Sequence, residues 1–424
     1  MPNAAREPLR FPVDTSCASE LVAIQTGMRR IGAVLGLVAS LLWSHAAWGQ
    51  LDPDRRELLQ FGFDRSLEGA EPLEGYGYYY LNEPNFFRTN ITLRLAVAPV
   101  YIDSETGFVG LLGPHTDLGL GLAGGGFADD YYEFHDGKYQ PSESFYGHSL
   151  EGSASVYHLF NPGQRIPLYG VFRIKEHYSL YERDQTSSSF TLPPDHSTID
   201  WRAGLRWGGR EPLLEPDLAM EMSAWYEGQY RTASGAYGFD GDRDLNESSQ
   251  LFWGRALLIY TFPQSKQSFD VNLTMGTSIQ ADRFSAYRLG GTLPLATEFP
   301  LVIPGYFDGE LSARDFACFT AQYTFPLDAA KRWSLQPIGS LATVDYLPGL
   351  AQQGHFNSGV GMGLGYKSKH WRAVASYGYG FEAIRSEGRG SQSVSVFIEI
   401  NLGSRHPGGP SDLDHITSFF LNHF

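Results

Sequence analysis

Two places in the chain hold residue types suited to acid, base or nucleophilic chemistry: Lys175 with His177, and His148 directly before Ser149. A serine hydrolase needs its nucleophile and base within about 3 Å, with a third group to orient the base. Neighbours on an extended strand point to opposite faces, so His148 and Ser149 do not meet if that segment is a strand. The stretch Asp240-Gly241-Asp242-Arg243-Asp244 spaces three carboxylates like the opening of a calcium loop. Its continuation fails, with Leu245 in place of the turn glycine and Leu251 in place of the closing glutamate. A solvated acidic loop is the expectation there. No Gly-x-Ser-x-Gly elbow, zinc-spaced histidine pair or Walker-type loop occurs. The sequence points away from an enzyme, and neither a cofactor nor a metal is expected.

The charged residues that remain are not clustered but strung along alternating segments. Arg173, Lys175, Arg202, Glu221, Arg255, Asp270, Arg372 and Glu399 each share a face with polar neighbours, opposite an apolar face. Val394, Val396, Ile398, Ile400 and Leu402 oppose Ser393, Ser395, Glu399 and Asn401, for example, and Phe269 to Ile279 alternates the same way. This period of two, sustained over about ten residues, is a strand with two different faces. If the apolar face meets lipid, the charges line a lumen. Because both signs are present, they read as a hydrated wall with ion pairs across the lumen rather than a single-sign filter.

A soluble sandwich alternates in the same way, so the membrane reading rests on the connections. Short links near Lys367–His370, Pro326–Arg332, Pro263–Lys266, Gly208–Pro216 and Asn161–Gln164 alternate with long polar loops near Arg385–Gly390, Pro348–Asn357, Phe284–Glu310, Thr232–Ser249, Arg183–Ser197 and Gly124–Ser144. Short turns on one side and long loops on the other mark a transmembrane antiparallel β-barrel with both termini in the periplasm. Counting back from the end gives about 14 strands within a range of roughly 12 to 16, with the barrel spanning residues 75–402. Thr89 to Gly124 is the hardest stretch to divide. Trp207, Phe262, Phe325, Trp333 and Trp371 fall at the short-link ends, where aromatic rings favour the headgroup level.

Composition agrees: aromatics are 14%, charged residues 19%, and there are 48 glycines. Met28-Arg29-Arg30, the apolar run Ile31–Trp43 and Ala46-Ala47-Trp48-Gly49 read as a signal peptide over 28–49. Residues 1–27 are then an extension or a mis-assigned start, residues 50–74 a periplasmic lead, and 403–424 a periplasmic tail with a helix from Leu413 to Leu421. Cys17 lies in the discarded part, which leaves Cys318 unpaired. A net charge of -15 argues against nucleic acid as a partner. The expected partners are outer-membrane lipid and lipopolysaccharide, with a periplasmic protein of unknown identity.

The long connection after Phe284 carries Leu289-Gly290-Gly291 and Pro304-Gly305-Tyr306, and the next strand ends Tyr323-Thr324-Phe325-Pro326-Leu327. Here the chain resembles the bacterial surface antigen family, the barrel part of outer-membrane assembly and two-partner secretion translocases. The resemblance implies a Gly-Gly step into a loop whose Arg-Gly-aromatic tip folds into the lumen, followed by five strands. Pro304 stands where the family has arginine. Two departures from the family stand beside it: its translocases carry periplasmic POTRA domains, whereas only Gln50 to about Glu74 precede the first expected strand here, which reads as a form lacking them, and the family barrel usually has about 16 strands against the 14 or so counted here. The function it implies is transport or assembly across the outer membrane. The alternatives are a structural or adhesive surface protein and a simple diffusion porin.

Overall fold

A computed structural model of the chain describes residues 51–403, apart from 52–53, 70–71, 73, 165, 210–217, 293–298 and 386–387. The expected signal peptide, the 1–27 extension and the tail helix lie outside the described residues. The described chain is all-β apart from a single 3-10 turn at Pro141–Glu143.

Sixteen antiparallel strands close into one barrel. They are β1 (Arg56–Ser66), β2 (Glu74–Pro84), β3 (Ile91–Val97), β4 (Tyr101–Gly113), β5 (Thr116–Gly125), β6 (Tyr146–Leu159), β7 (Leu168–Glu182) and β8 (His196–Gly208). The second half holds β9 (Leu218–Arg231), β10 (Ser248–Thr261), β11 (Ser268–Ile279), β12 (Leu311–Pro326), β13 (Trp333–Tyr346), β14 (Phe356–Lys367), β15 (Trp371–Arg385) and β16 (Gly388–Asn401). Each strand pairs with the next, and β1 pairs with β16 from Leu58↔Asn401 to Ser66↔Ser393, so no sheet edge is left open.

The expected count of about 14 is corrected in two places. The segment read as a periplasmic lead contains β1, in which Phe61 and Phe63 face outward while Asp64 and Ser66 are buried. Its alternation is hidden by the doublet Leu58-Leu59 and by charged ends. The stretch from Thr89 to Gly124, the hardest to divide, holds three strands. They turn tightly at Ala98–Val100 and at Pro114-His115, where His115 takes a positive φ, and the register of β4 against β5 shifts between Phe108 and Gly113. That irregularity explains why Phe108–Gly113 read as either strand or turn. The expected loop at Arg385–Gly390 is also mostly strand, since β15 runs to Arg385 and β16 starts at Gly388. The alternation of short and long connections therefore holds through the middle of the chain and relaxes toward its ends.

The radial distribution is inverted relative to a water-soluble fold. Leu122, Leu150, Met222, Met275, Ile279, Leu341 and Met362 are exposed on the outside, while Glu105, Arg206, Glu221, Arg255 and Glu399 are buried inside. A charge on the outer face at mid-bilayer would cost about 2–4 kcal/mol, and an apolar belt of this kind facing water would be an aggregation surface. The five girdle aromatics are all outward and 40–45% exposed, at the rim that carries the short turns. Several strands outrun the roughly 9–11 residues that a bilayer requires. β7 has 15 residues and β12 has 16.

At the opposite rim the long loops pack into a cap. Strands Phe190–Thr191, Gly235–Phe239 and Arg243–Leu245 form a small sheet, and Tyr131, Phe145, Tyr181, Phe190, Tyr237 and Leu245 make its core. The acidic stretch considered for calcium is the turn of this hairpin, with Asp240 and Gly241 at positive φ.

Candidate functional site

The site is the connection between β11 and β12, residues 280–310, which enters the lumen. A short strand, Tyr287–Leu289, extends β12 through the pair Leu289↔Leu311. Gly290 and Gly291 then turn the chain inward. Both have positive φ, and a Cβ on Gly290 would lie 2.0 Å from the carbonyl oxygen of Phe307, so only glycine fits this step. Backbone bonds from Gly290 N–H to Leu301 O (3.0 Å) and from Ile303 N–H to Gly291 O (3.1 Å) fasten the base of the loop.

The tip, Pro304-Gly305-Tyr306, lies against the inner wall of β14, β15 and β16. Gly359 and Gly361 on β14 and Gly378 and Gly380 on β15 leave that wall without side chains, so the loop backbone rests on the strand backbone. A Cβ on Gly305 would stand 1.9 Å from Gly380 N, and a Cβ on Gly359 would stand 2.2 Å from Pro304 O. Gly305 N–H donates to Ser393 Oγ (3.2 Å), and the Tyr306 hydroxyl donates to Asn357 Oδ1 (3.1 Å). The register of β15 against β16 shifts between Gly380 and Ile384, beside this contact.

The ion pair that the sequence leaves without a donor at Pro304 comes from the wall. Arg385, at the end of β15, grips Glu310 with two bonds of 3.0 Å, reaches Gly305 O at 3.4 Å and lies over the Phe307 ring at 3.7 Å. Both charged side chains are buried. In such a place the fork geometry of arginine matters, because both carboxylate oxygens must be satisfied together. Arg385, Glu310, Asn357 and Ser393 escape sequence reasoning. The visible hint was the glycine series at alternate positions of β14 and β15, which marks a strand face approached by another backbone.

The same loop touches the far half of the barrel. Thr292 N–H donates to Asp64 on β1, and its hydroxyl lies 2.8 Å from Ser393 Oγ on β16. Phe299 instead packs edge-on against Trp225 on β9 and Trp253 on β10, with centroids 5.6 and 5.7 Å away. The described residues of the loop therefore touch both sides of the lumen. From above the loop is covered by the β5–β6 connection: Phe134 meets Phe307 at 5.4 Å, and Arg385 donates to Gly137 O.

The predicted wall charges are on the inner face, but they pair along the wall rather than across the lumen. Arg202 faces Glu227 (2.7 Å) and Arg372 faces Glu399 (3.1 Å) as direct cross-strand partners. Lys175 lies between Glu151 (3.0 Å) and Asp200 (3.5 Å), and Arg173 reaches Glu105 (3.4 Å) and the Tyr157 hydroxyl (2.9 Å). Glu221 is shared by Arg255 (2.6 Å) and Arg206 (2.9 Å). Asp270 sits on the same face of β11, in register with Ile259 and Gln322. The correction has a geometric cause: neighbouring strands are about 4.8 Å apart, whereas a 16-stranded lumen is too wide for two side chains to span.

The residues weighed for chemistry are dispersed or already engaged. Ser149 is inward on β6 with Glu151, while His148 is outward with exposed Leu150. His177 bonds to Asp129 (2.8 Å) and Ser179 donates to the same carboxylate (2.6 Å), which ties the β5–β6 loop to the wall. In that loop Glu133, His135 and Glu143 bring their ligand atoms together. Arg243 contacts both carboxylates and Arg283 reaches Glu133 at 3.2 Å, so guanidinium groups already supply the positive charge a metal would bring. Burial opposes ionisation of Glu133, but the hydrogen bond with His135 and the nearby arginines outweigh it and hold the carboxyl at about 2. His135 is raised above its usual 6.5, chiefly by its bond to Glu133.

Neither a protein-family model nor a curated protein matches the sequence. Solved structures do. The chain is similar to CdiB from Escherichia coli (TM-score 0.54, 10% identity, 82% of this chain and 63% of that one). It is similar also to CdiB from Acinetobacter baumannii (0.52, 12%, 82% and 60%). A third likeness is to BamA from Haemophilus ducreyi lacking POTRA domains 1–3 (0.51, 10%, 82% and 70%). The chain spans less than two thirds of the length of either CdiB. At these identities the likeness is one of fold, and that fold is the barrel which the Gly-Gly step and the inward tip led us to expect.

Proposed function

We propose that this protein is a surface-antigen-type barrel of the bacterial outer membrane that takes part in transport or assembly across it. In this reading the short-turn rim and both ends of the barrel face the periplasm, and the capped rim faces outward. The observation that carries it is the loop of residues 280–310, anchored by Arg385–Glu310 on one wall and by Phe299 on the other. A structural protein has no need of a lumen crossed by a loop held at two separable contacts. A diffusion porin would need that path open. The shared fold with CdiB and BamA supports the same reading.

Outer-membrane fractionation followed by mild-detergent gels tests the placement. The folded barrel is expected in the outer membrane, migrating faster unheated than boiled. Recovery in the soluble periplasm, or one band under both conditions, would overturn the proposal.

A further inference from the structure

The inner wall of β6 to β10 carries a pattern that plugging alone does not require. In register across five adjacent strands stand Tyr157, Val171, Gly204, Trp225 and Trp253. Each is the direct partner of the next. Gly204 is where the Trp225 indole lies flat, since a Cβ there would stand 2.2 Å from that ring. Trp225 and Trp253 are parallel within 13° at 6.3 Å. One row above are Ser155, Arg173, Arg202 and Glu227, and one row below are Tyr169, Arg206, Ser223 and Arg255. The wall thus presents an aromatic band between two charged bands. Arg202 lies over the Trp253 ring at 5.1 Å, and Arg255 lies over the Phe299 ring at 4.6 Å.

Such a band in a polar lumen costs hydration unless apolar groups cover it, and the groups packed on it are Phe299, from the loop, and Leu51, from the segment before β1. Trp225 is 5% exposed, yet its indole N–H and that of Trp253 have no acceptor among the described residues. Buried indole donors ordinarily find one. A site with a slot for an aromatic ring, two indole N–H donors beside it, charges of both signs in the row above and arginines in the row below matches an extended polypeptide. The ring would be a side chain, the acceptors would be main-chain carbonyls, and the charged rows would take flanking polar groups. A glycan would stack flat on an indole, whereas Phe299 meets both indoles edge-on.

We propose that the Trp225–Trp253 band is a binding subsite for an aromatic side chain of an extended polypeptide in transit, and that Phe299 occupies it as an internal surrogate while the loop is in place. The inference rests on the transport reading above and assigns the wall residues that would hold a side chain of the passing segment. Occupation by Phe299 and by a passing segment would be mutually exclusive, which couples arrival of the polypeptide to release of this end of the loop.

The test uses the full chain lacking Leu289–Gly309, and so lacking Phe299, in planar bilayers. The probes are a Gly/Ser-rich peptide of about 20 residues with one central phenylalanine, its alanine counterpart, and a maltooligosaccharide. The phenylalanine peptide should give blockades about tenfold longer than the alanine peptide, which corresponds to aromatic contacts of about 1.4 kcal/mol. Trp225→Ala with Trp253→Ala should erase the difference. Equal dwell times for both peptides, a difference that survives the tryptophan substitutions, or longer blockade by the sugar would overturn the subsite and leave transport standing. Entry of neither peptide into a conducting barrel would sink polypeptide transport itself. Should the deletion fail to fold, the full-length Phe299→Ala barrel in micelles is titrated with N-acetylphenylalaninamide while tryptophan fluorescence is read. A saturable change, absent from wild type and from the double tryptophan variant, is expected. An equal response in wild type would contradict it.

Discussion

The two halves of the inner wall hold the same loop by different physics. On β14 to β16 the wall is glycine and serine, so loop backbone lies on strand backbone and one buried ion pair, Arg385–Glu310, locks it. On β6 to β10 the wall is charged and aromatic: Asp282 at the start of the loop pairs with Arg231 at the end of β9 (2.6 Å), and farther along the loop contributes one ring, Phe299. The first contact depends on shape and tolerates almost no added volume. The second is a side chain in a slot, which can leave without disturbing the wall. This asymmetry gives the loop a fixed end and a releasable end.

The largest effect is expected where shape is strictest. Gly305→Val places a branched side chain where even a Cβ would meet Gly380 N at 1.9 Å, at a φ of +87°. The tip should leave its cradle, and conductance should rise to that of an unplugged barrel while heat-modifiable migration is kept. Unchanged conductance would show that the cradle is not what holds the loop. Arg385→Ala leaves Glu310 buried and uncompensated, at a cost of about 3–5 kcal/mol. It should lower the temperature of the gel-shift transition, and Arg385→Lys should recover only part of the loss because it lacks the fork. Glu221→Gln attacks the opposite wall and weakens the hold on Arg206 and Arg255, with a predicted loss of about 3 kcal/mol. It should lower the same transition without raising conductance, since it frees no part of the loop. Phe299→Ala, at a half-buried ring, should be milder, about 2–3 kcal/mol of packing, and should show as faster proteolysis within the loop. If Phe299→Ala opened the pore as fully as Gly305→Val, the fixed and releasable ends would have been assigned wrongly.

The smallest effect concerns the cap. Glu133, held at about 2, stabilises the folded cap above the usual carboxylate value of 4.5, and this is lost as pH falls through about 2. His135, raised above 6.5, stabilises it below 6.5, and this is lost as pH rises through the higher folded value. Both contributions are full only between about 4.5 and 6.5. Limited proteolysis of residues 126–145 should therefore be slowest in that window, and His135→Ala should remove the loss on its alkaline side while moving the acid-side loss to higher pH, because Glu133 loses its bond to His135. An alkaline loss that persists in His135→Ala would assign it to another group.

Much of the barrel was legible because lipid outside and a polar lumen inside force a strict alternation, as in β11 and β16, and because the girdle tryptophans mark one rim. β1 was missed because Leu58-Leu59 breaks that alternation, and the third strand within Thr89–Gly124 because a register shift blurs its end. At the site, Gly290, Gly291, Gly305 and Tyr306 could be found because their roles depend on local backbone and on one motif. Arg385, Glu310 and the Trp225–Trp253 band could not, because they acquire meaning only when register brings distant strands side by side. The wall charges pair with neighbours along the wall and not across the lumen, a distinction that needs the lumen width, which sequence does not show.

Single-channel conductance of the wild-type barrel beside the Leu289–Gly309 deletion tests the plug most directly. A lumen crossed by a loop fixed at Gly305 and Arg385 should conduct little, and the deletion should give large, steady open steps. Equal steady steps from both proteins would contradict a loop that closes the path.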